Sequence, residues 1–201
     1  LLRIGVLASG RGSNLQALVD GCAWGRIQGR VVVVISNNSR SGALAKAAAA
    51  GIPGCHLSSH THPGPGELDF AICGALQQHA CDLVALAGYM KQLGPHTLRA
   101  FRGRVVNVHP ALLPRHGGTG MYGMRVHEAV LASQDAYSGA TIHLVTGEYD
   151  QGPVLAQCRV PVLPGDTPES LAARVLAVEH ELYVNTVAAI ARGEMSLPIP
   201  G

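Results

Sequence analysis

The sequence predicts one α/β domain with a doubly wound, mostly parallel but mixed sheet and helices on both faces. Three observations carry that prediction. Strand-length apolar runs rich in Val and Ile alternate with helix-compatible segments through the first 133 residues. Runs such as Arg30 to Ser36 lack the polar alternation of a half-exposed strand, so both of their faces are buried, as parallel sheets require. Beyond residue 133 two β-rich segments follow one another across a short turn, close enough to pair antiparallel.

Taken in order, the first strand spans Arg3 to Ala8 and passes through a glycine turn into a helix over about Asn14 to Cys22. A second strand, Arg30 to Ser36, feeds a helix over Ser41 to Ala50. Ser58 to Gly66 (SSHTHPGPG) is a loop by composition, and Glu67 to Ala80 is helical. The strand Asp82 to Ala87 follows, then a short helix opened by Pro95, then the strand Arg104 to His109, which Pro110 terminates. Pro110 to Arg125 is long, irregular and rich in glycine, and such loops inside compact domains usually carry function. A helix over Val126 to Ser133 leads to the β segments Tyr137 to Val145 and Pro153 to Val162. Asp166-Thr167-Pro168-Glu169 then opens a long amphipathic helix that runs to about Arg192, before Gly193.

Composition narrows the class. The 201 residues are 47% hydrophobic and only 14% charged, which excludes disorder, and no apolar run reaches the ~20 residues of a membrane helix. A net charge of +2 is too small for a general nucleic-acid or membrane-surface field, so neither is an expected partner and any anion is held locally. Five cysteines without zinc-site or CxxC spacing read as reduced thiols, and with no signal-peptide pattern at the start the expected compartment is the cytoplasm. His60 and His62 lie two apart in a loop and read as solvated, so no metal is expected. Trp24, Met121 and Met124 read as packing residues. The 25 glycines and 12 prolines demand many turns and special backbone positions.

Three constellations carry chemistry. Ser9-Gly10-Arg11-Gly12-Ser13-Asn14 lies between the first strand and first helix, where converging N–H groups and the helix dipole suit a phosphate. Leu15 replaces the third glycine of a dinucleotide fingerprint and no lysine precedes Ser13, so the turn is either a phosphate cradle or an ordinary capped glycine turn. In Asn107-Val108-His109-Pro110, residues two apart on a strand point together, so Asn107 and His109 share one face at the carboxyl end. They suit an oxygen gaining negative charge, or equally a strand-end pair satisfied by loop backbone. Asp150, in Glu148-Tyr149-Asp150-Gln151-Gly152-Pro153, is either a turn residue accepting backbone N–H groups or a carboxylate facing His109.

At larger scale the sequence resembles the phosphoribosylglycinamide formyltransferases, the glycinamide ribonucleotide (GAR) transformylases. The resemblance rests on RIGVLASGRGSNLQAL, LVALAGYMKQL, VVNVHPALLPRHGG with GMYGMRVHEAV, and EYDQGPVLAQCRVPVLPGDTPESLAARVLAVEHELY, in order over nearly the whole chain. It implies a Rossmann-like formyltransferase fold spanning 1–201, with a phosphate-binding half over about 1–100 and a folate-binding, catalytic half over about 101–201. It implies transfer of a formyl group from the co-substrate 10-formyltetrahydrofolate to the amine of GAR in purine biosynthesis, by direct transfer and without a metal. Asn107 and protonated His109 then resemble the oxyanion donors, and Asp150 the carboxylate that charges His109 and relays a proton. Gly12, Ser13 and Asn14 resemble the GAR phosphate turn, and Glu179 the acceptor of the ribose hydroxyls. Met90, Lys91, Gln92 and Leu93, with Asn107 and with Val145, Thr146, Gly147, Glu148 and Tyr149, resemble the walls of the pterin pocket.

The resemblance also implies a cis Leu113-Pro114 bond. Where relatives carry an arginine that meets the folate, this chain has Pro65, which makes Lys91 or Arg115 the candidate substitutes and a mobile 58–66 loop the expectation. The small-molecule partners are GAR and the formyl folate, and the protein is a monomer or a homodimer. Two alternatives remain. One is a related formyl-domain enzyme, methionyl-tRNA formyltransferase or formyltetrahydrofolate deformylase, for whose extra domain 201 residues leave no space. The other is a nonenzymatic phosphometabolite-binding module, which would not need Asn107, His109 and Asp150 together.

Overall fold

Leu2–Leu7 (β1) and Gly29–Ser36 (β2) are the apolar strands expected from their Val and Ile content, and they pair parallel. The computed structural model describes residues 1–198, so the last three residues of the expected 1–201 domain lie outside the described residues. The remaining strands are Gly54–His56 (β3), Leu83–Leu86 (β4), Val105–His109 (β5), Tyr137–Leu144 (β6) and Val154–Pro161 (β7). They form one seven-stranded sheet in the order β3-β2-β1-β4-β5-β6-β7. β1 to β5 run parallel, whereas β5–β6 and β6–β7 are antiparallel, so the expected mixed sheet is present.

The helices are Ser13–Ala23 (α1), Gly42–Ala49 (α2), Glu67–Gln78 (α3), Pro95–Ala100 (α4), Met124–Ala132 (α5) and Pro168–Ala191 (α6). One face of the sheet packs Ile4, Val6, Ala85 and Ile142 against Leu15 and Leu18 of α1, Ala43 and Ala47 of α2, and Tyr183 and Val187 of α6. The other face packs Leu7, Ile35 and Val84 against Ile72, Cys73 and Leu76 of α3 and residues around α4. Helix α6 starts at a capping box, in which Thr167 Oγ1 accepts from Ser170 N while Ser170 Oγ accepts from Thr167 N. Deeper along it, the fully buried Tyr183 donates its hydroxyl to the Leu86 and Val106 carbonyls at 2.8 and 3.3 Å, pinning α6 across β4 and β5.

Several expectations change. β3 is absent from the sequence reading because Gly-Cys-His has little strand propensity; pairing with the edge of β2 makes it a strand. Trp24 is 73% exposed at the end of α1, and Met124 is 43% exposed at the first turn of α5 and lines a cleft with Met121, so these residues are not core packing. In the 58–66 loop, Ser58 Oγ accepts from His60 N and Thr61 N, and Thr61 Oγ1 accepts from Ser58 N. His60 is exposed, whereas His62 is half-buried with Nδ1 on the Thr61 hydroxyl. The Leu113-Pro114 bond is cis, as the resemblance implies.

Candidate active site

β2 lies on one side of β1 and β4 on the other, so the chain connections diverge and leave a crevice at the carboxyl ends of these strands. A cleft of about 670 Å³ opens there, a size usual for small-molecule sites. Ser9 ties its floor together. Its hydroxyl accepts from Met90 N at 2.8 Å and donates to Asn37 Oδ1 at 2.5 Å, joining the loops that follow β1, β2 and β4. Gly12 has φ 77°, and a Cβ there would lie 2.8 Å from the Ala43 Cα, so turn and α2 approach as only glycine allows. No side chain caps α1, which leaves its first N–H groups to an anion entering the cleft lined by Gly10 to Asn14.

Glu179 reaches the same cleft from α6. It is 7% exposed, and its Oε1 accepts from Asn14 Nδ2 at 3.2 Å. Burial pushes its carboxyl up to about 7, with the Asn14 hydrogen bond pulling partly back.

At the end of β5, the two-residue strand period brings Asn107 and His109 to the cleft together, as expected. His109 is 4% exposed, and its Nε2 lies 2.8 Å from the His116 carbonyl. A carbonyl only accepts, so Nε2 carries a proton and Nδ1 is the atom turned to Asp150, whose Oδ2 is 3.5 Å away. Both sequence possibilities for Asp150 are realised. Its φ is 56° in the β6–β7 turn, its Oδ2 accepts from Gly118 N at 2.9 Å, and the same oxygen faces His109. The turn is tight at Gly152, where a Cβ would lie 1.7 Å from the Leu144 carbonyl oxygen.

His143 completes the group and was missed from sequence. Its Nδ1 donates to the Leu144 carbonyl at 2.9 Å, so in the neutral ring Nε2 accepts from Asn107 Nδ2 at 3.1 Å and fixes that carboxamide. The second N–H of Asn107 Nδ2 is left for the cleft. The same Nε2 lies 3.4 Å from Asp150 Oδ1. His127 was missed too; it lines the cleft 5% exposed, with its Nδ1 buried and unpartnered among the described residues. The two rings come from β6 and α5, and only the fold brings them beside Asn107 and His109; no local motif signals them.

Burial sets much of the electrostatics. Burial pulls His109 below the ordinary histidine value, against Asp150 and the His116 carbonyl, which favour its charged form. Asp150 is pushed up by burial, but His143, His109 and the Gly118 N–H outweigh this and hold it below the usual carboxylate range. Burial and the neighbouring His109 lower His127.

Next to the cleft, Lys91, Gln92 and Leu93 face Val145, Thr146, Glu148 and Tyr149 across a narrow slot of about 60 Å³ that Asn107, His143 and Asp150 also line. Gln92 Nε2 bonds across the slot to the Gly147 carbonyl, and Met90 lines the main cleft. The residues expected to form a pterin wall therefore do face one another beside Asn107. Arg115 does not join them. It is paired with Asp135 at 2.6 Å on another face, so of the two candidates only Lys91 lines the slot.

Residues 2–187 match the formyl transferase family. The chain belongs to that family and, within it, to the phosphoribosylglycinamide formyltransferases. It is 36% identical to the phosphoribosylglycinamide formyltransferase of Escherichia coli over 196 residues, covering 98% of this chain and 90% of that protein. It is 43% identical to the chloroplastic phosphoribosylglycinamide formyltransferase of Arabidopsis thaliana over 189 residues, 94% of this chain and 65% of that protein. The chain thus spans under two-thirds of that plant relative, and 60% of the chloroplastic relative from Vigna unguiculata. The crystal structure of glycinamide ribonucleotide transformylase 1 from Symbiobacterium toebii matches with a TM-score of 0.92 at 41% identity, covering 98% of this chain and 91% of that one. No described helix is long and apolar enough to cross a membrane.

Proposed function

We propose that this chain transfers the formyl group of 10-formyltetrahydrofolate to the amine of GAR, giving formyl-GAR and tetrahydrofolate. The observation that carries this is the convergence, along one cleft, of an uncapped helix start, the buried Glu179 and the Asn107, His109 and Asp150 group. The helix start suits a phosphate and Glu179 suits ribose hydroxyls, so a phosphoribosyl group has a place at one end. At the other end the slot between Lys91–Leu93 and Val145–Tyr149 fits the edge of a flat, polar ring system through backbone groups and the Gln92 amide. The formyl folate, when bound, supplies the one-carbon group next to Asn107.

The residues then divide the work. A formamide is a poor electrophile, and attack by the amine builds negative charge on its oxygen. Asn107 meets that charge with its free Nδ2–H, held in orientation by His143. His109 already gives its Nε2–H to the His116 carbonyl, so it offers a donor to the cleft only as the imidazolium, through Nδ1–H. The imidazolium, formed by uptake of a proton from water before the transfer, is supported by Asp150 and opposed by burial, and it keeps both protons through the step. The ionised Asp150 accepts the proton shed by the attacking amine as the new C–N bond forms. That proton goes to the folate nitrogen as the old C–N bond breaks. No nucleophilic side chain is required, so transfer is direct.

Incubation of the purified chain with both substrates yields formyl-GAR and tetrahydrofolate. Demonstrated binding of both substrates without turnover would overturn the proposal.

A further inference from the structure

We propose that Asp135, acting through His116, is a positioning residue that fixes the tautomer and orientation of His109. The inference rests on the formyl-transfer reading above for its kinetic consequence, but its structural part stands alone. His109 Nε2 is held at 2.8 Å by the carbonyl of His116. That carbonyl is aimed by an uncommon backbone: His116 has φ 55°, a left-handed conformation costly for a residue with a Cβ, although two glycines follow it immediately in the sequence.

What holds His116 there is its own ring. The His116 Nε2 lies 2.6 Å from Asp135 Oδ2, and the other oxygen of the same carboxylate takes Arg115 Nη2 at 2.6 Å. One aspartate, three residues beyond the end of α5, therefore clamps two consecutive residues of the turn that follows β5. The His116 ring and Asp135 are largely buried, whereas Arg115 is mostly exposed, so the His116–Asp135 contact is the ordered half of the clamp.

The clamp lies behind the catalytic histidine. Arg115, His116 and Asp135 line a separate pocket of about 200 Å³ with Leu112, Val130 and Ser138, and none of the three lines the substrate cleft. All three lie outside the lining of the cleft, and their influence on it passes through one carbonyl. With Nε2–H anchored, His109 presents Nδ1 to Asp150 and the cleft; with the carbonyl released, the imidazole is free to exchange tautomers and to rotate away from Asp150.

Two variants and two measurements test this. D135A removes the clamp, and H116N keeps a residue that tolerates positive φ while shortening the side chain beyond reach of Asp135. In each, kcat falls about tenfold or more, as expected of a reacting group displaced slightly from its working position, while KM for GAR and for the formyl folate is unchanged. In parallel, ¹⁵N NMR of His109 in the folded proteins changes from a single Nε2–H form to a mixture of tautomers. R115A, which leaves the His116–Asp135 contact in place, keeps wild-type kcat and the wild-type His109 spectrum. An unchanged His109 spectrum in both folded clamp variants would overturn the proposal whatever the activity. An altered spectrum with unchanged kcat would instead count against the role given to His109 in formyl transfer.

Discussion

Glu179 is a carboxyl group in a place that disfavours its charge, and this has a measurable cost. Its side chain is 7% exposed, with one hydrogen bond from Asn14 to offset the lost hydration. Burial raises it from 4.5 to about 7, a rise that corresponds to about 3 kcal/mol of folding free energy. The sign follows from which state holds the proton. Between those two values the folded protein keeps Glu179 protonated while the unfolded chain has lost its proton, so the contribution to stability is full below pH 4.5 and gone above about 7. Glu179→Gln removes the titration and keeps an oxygen for Asn14. Urea midpoints of the two proteins at about pH 5 and about pH 8 then report the effect: the stability of the variant relative to the parent rises by roughly 2 to 3 kcal/mol between them. A gap independent of pH would show that Glu179 is ionised as easily as a surface carboxylate, and would refute the reasoning. On the proposed reading of Glu179 as the acceptor of the ribose hydroxyls, GAR affinity is expected to rise with pH through about 7, because hydroxyl donors favour the carboxylate, and Glu179→Gln is expected to flatten that dependence in calorimetric titrations.

Other consequences follow from single contacts. Gly12→Ala forces a Cβ to 2.8 Å from the Ala43 Cα at φ 77°, so the anion turn shifts and KM for GAR rises while KM for the folate does not; steady-state kinetics shows the separation, expected at roughly tenfold or about 1.4 kcal/mol. Tyr183→Phe removes the donor shared by the Leu86 and Val106 carbonyls and costs about 1 to 3 kcal/mol in denaturant unfolding, nearly independent of pH below the ionisation range of tyrosine.

Much of the fold was legible because its signals are local. Val31 to Ile35 announces a strand buried on both faces, Pro110 marks the end of β5, and Thr167-Pro168 marks the start of α6, each within a residue or two of where the element lies. Asn107 and His109 were legible as a pair because the strand period alone places them on one face. Elements stabilised from outside were not legible. β3 depends on the edge of β2, and nothing in Gly-Cys-His foretells it. His116 and His143 matter through Asp135 and Asn107, partners 19 and 36 residues away that only the fold brings near. Arg115 was one of two candidates for the place of the family arginine, and its pairing with Asp135 holds it on another face. Trp24 and Met124 were misassigned because an apolar side chain at a helix end carries no mark of the side it faces.

The central claim is that Asp150 acts in the transition state and not in holding substrate. The direct measurement is a single-turnover transfer rate from preformed complexes with GAR and 10-formyltetrahydrofolate, comparing the parent protein with Asp150→Asn. The Asn side chain keeps an oxygen for the Gly118 N–H, which Asp150 accepts at 2.9 Å, so the turn stays folded and both substrates still bind. The account predicts that transfer slows by about 10²- to 10⁴-fold in the variant complex, the span expected for loss of a proton-transfer group. Transfer at the parent rate from a fully formed variant complex would contradict it.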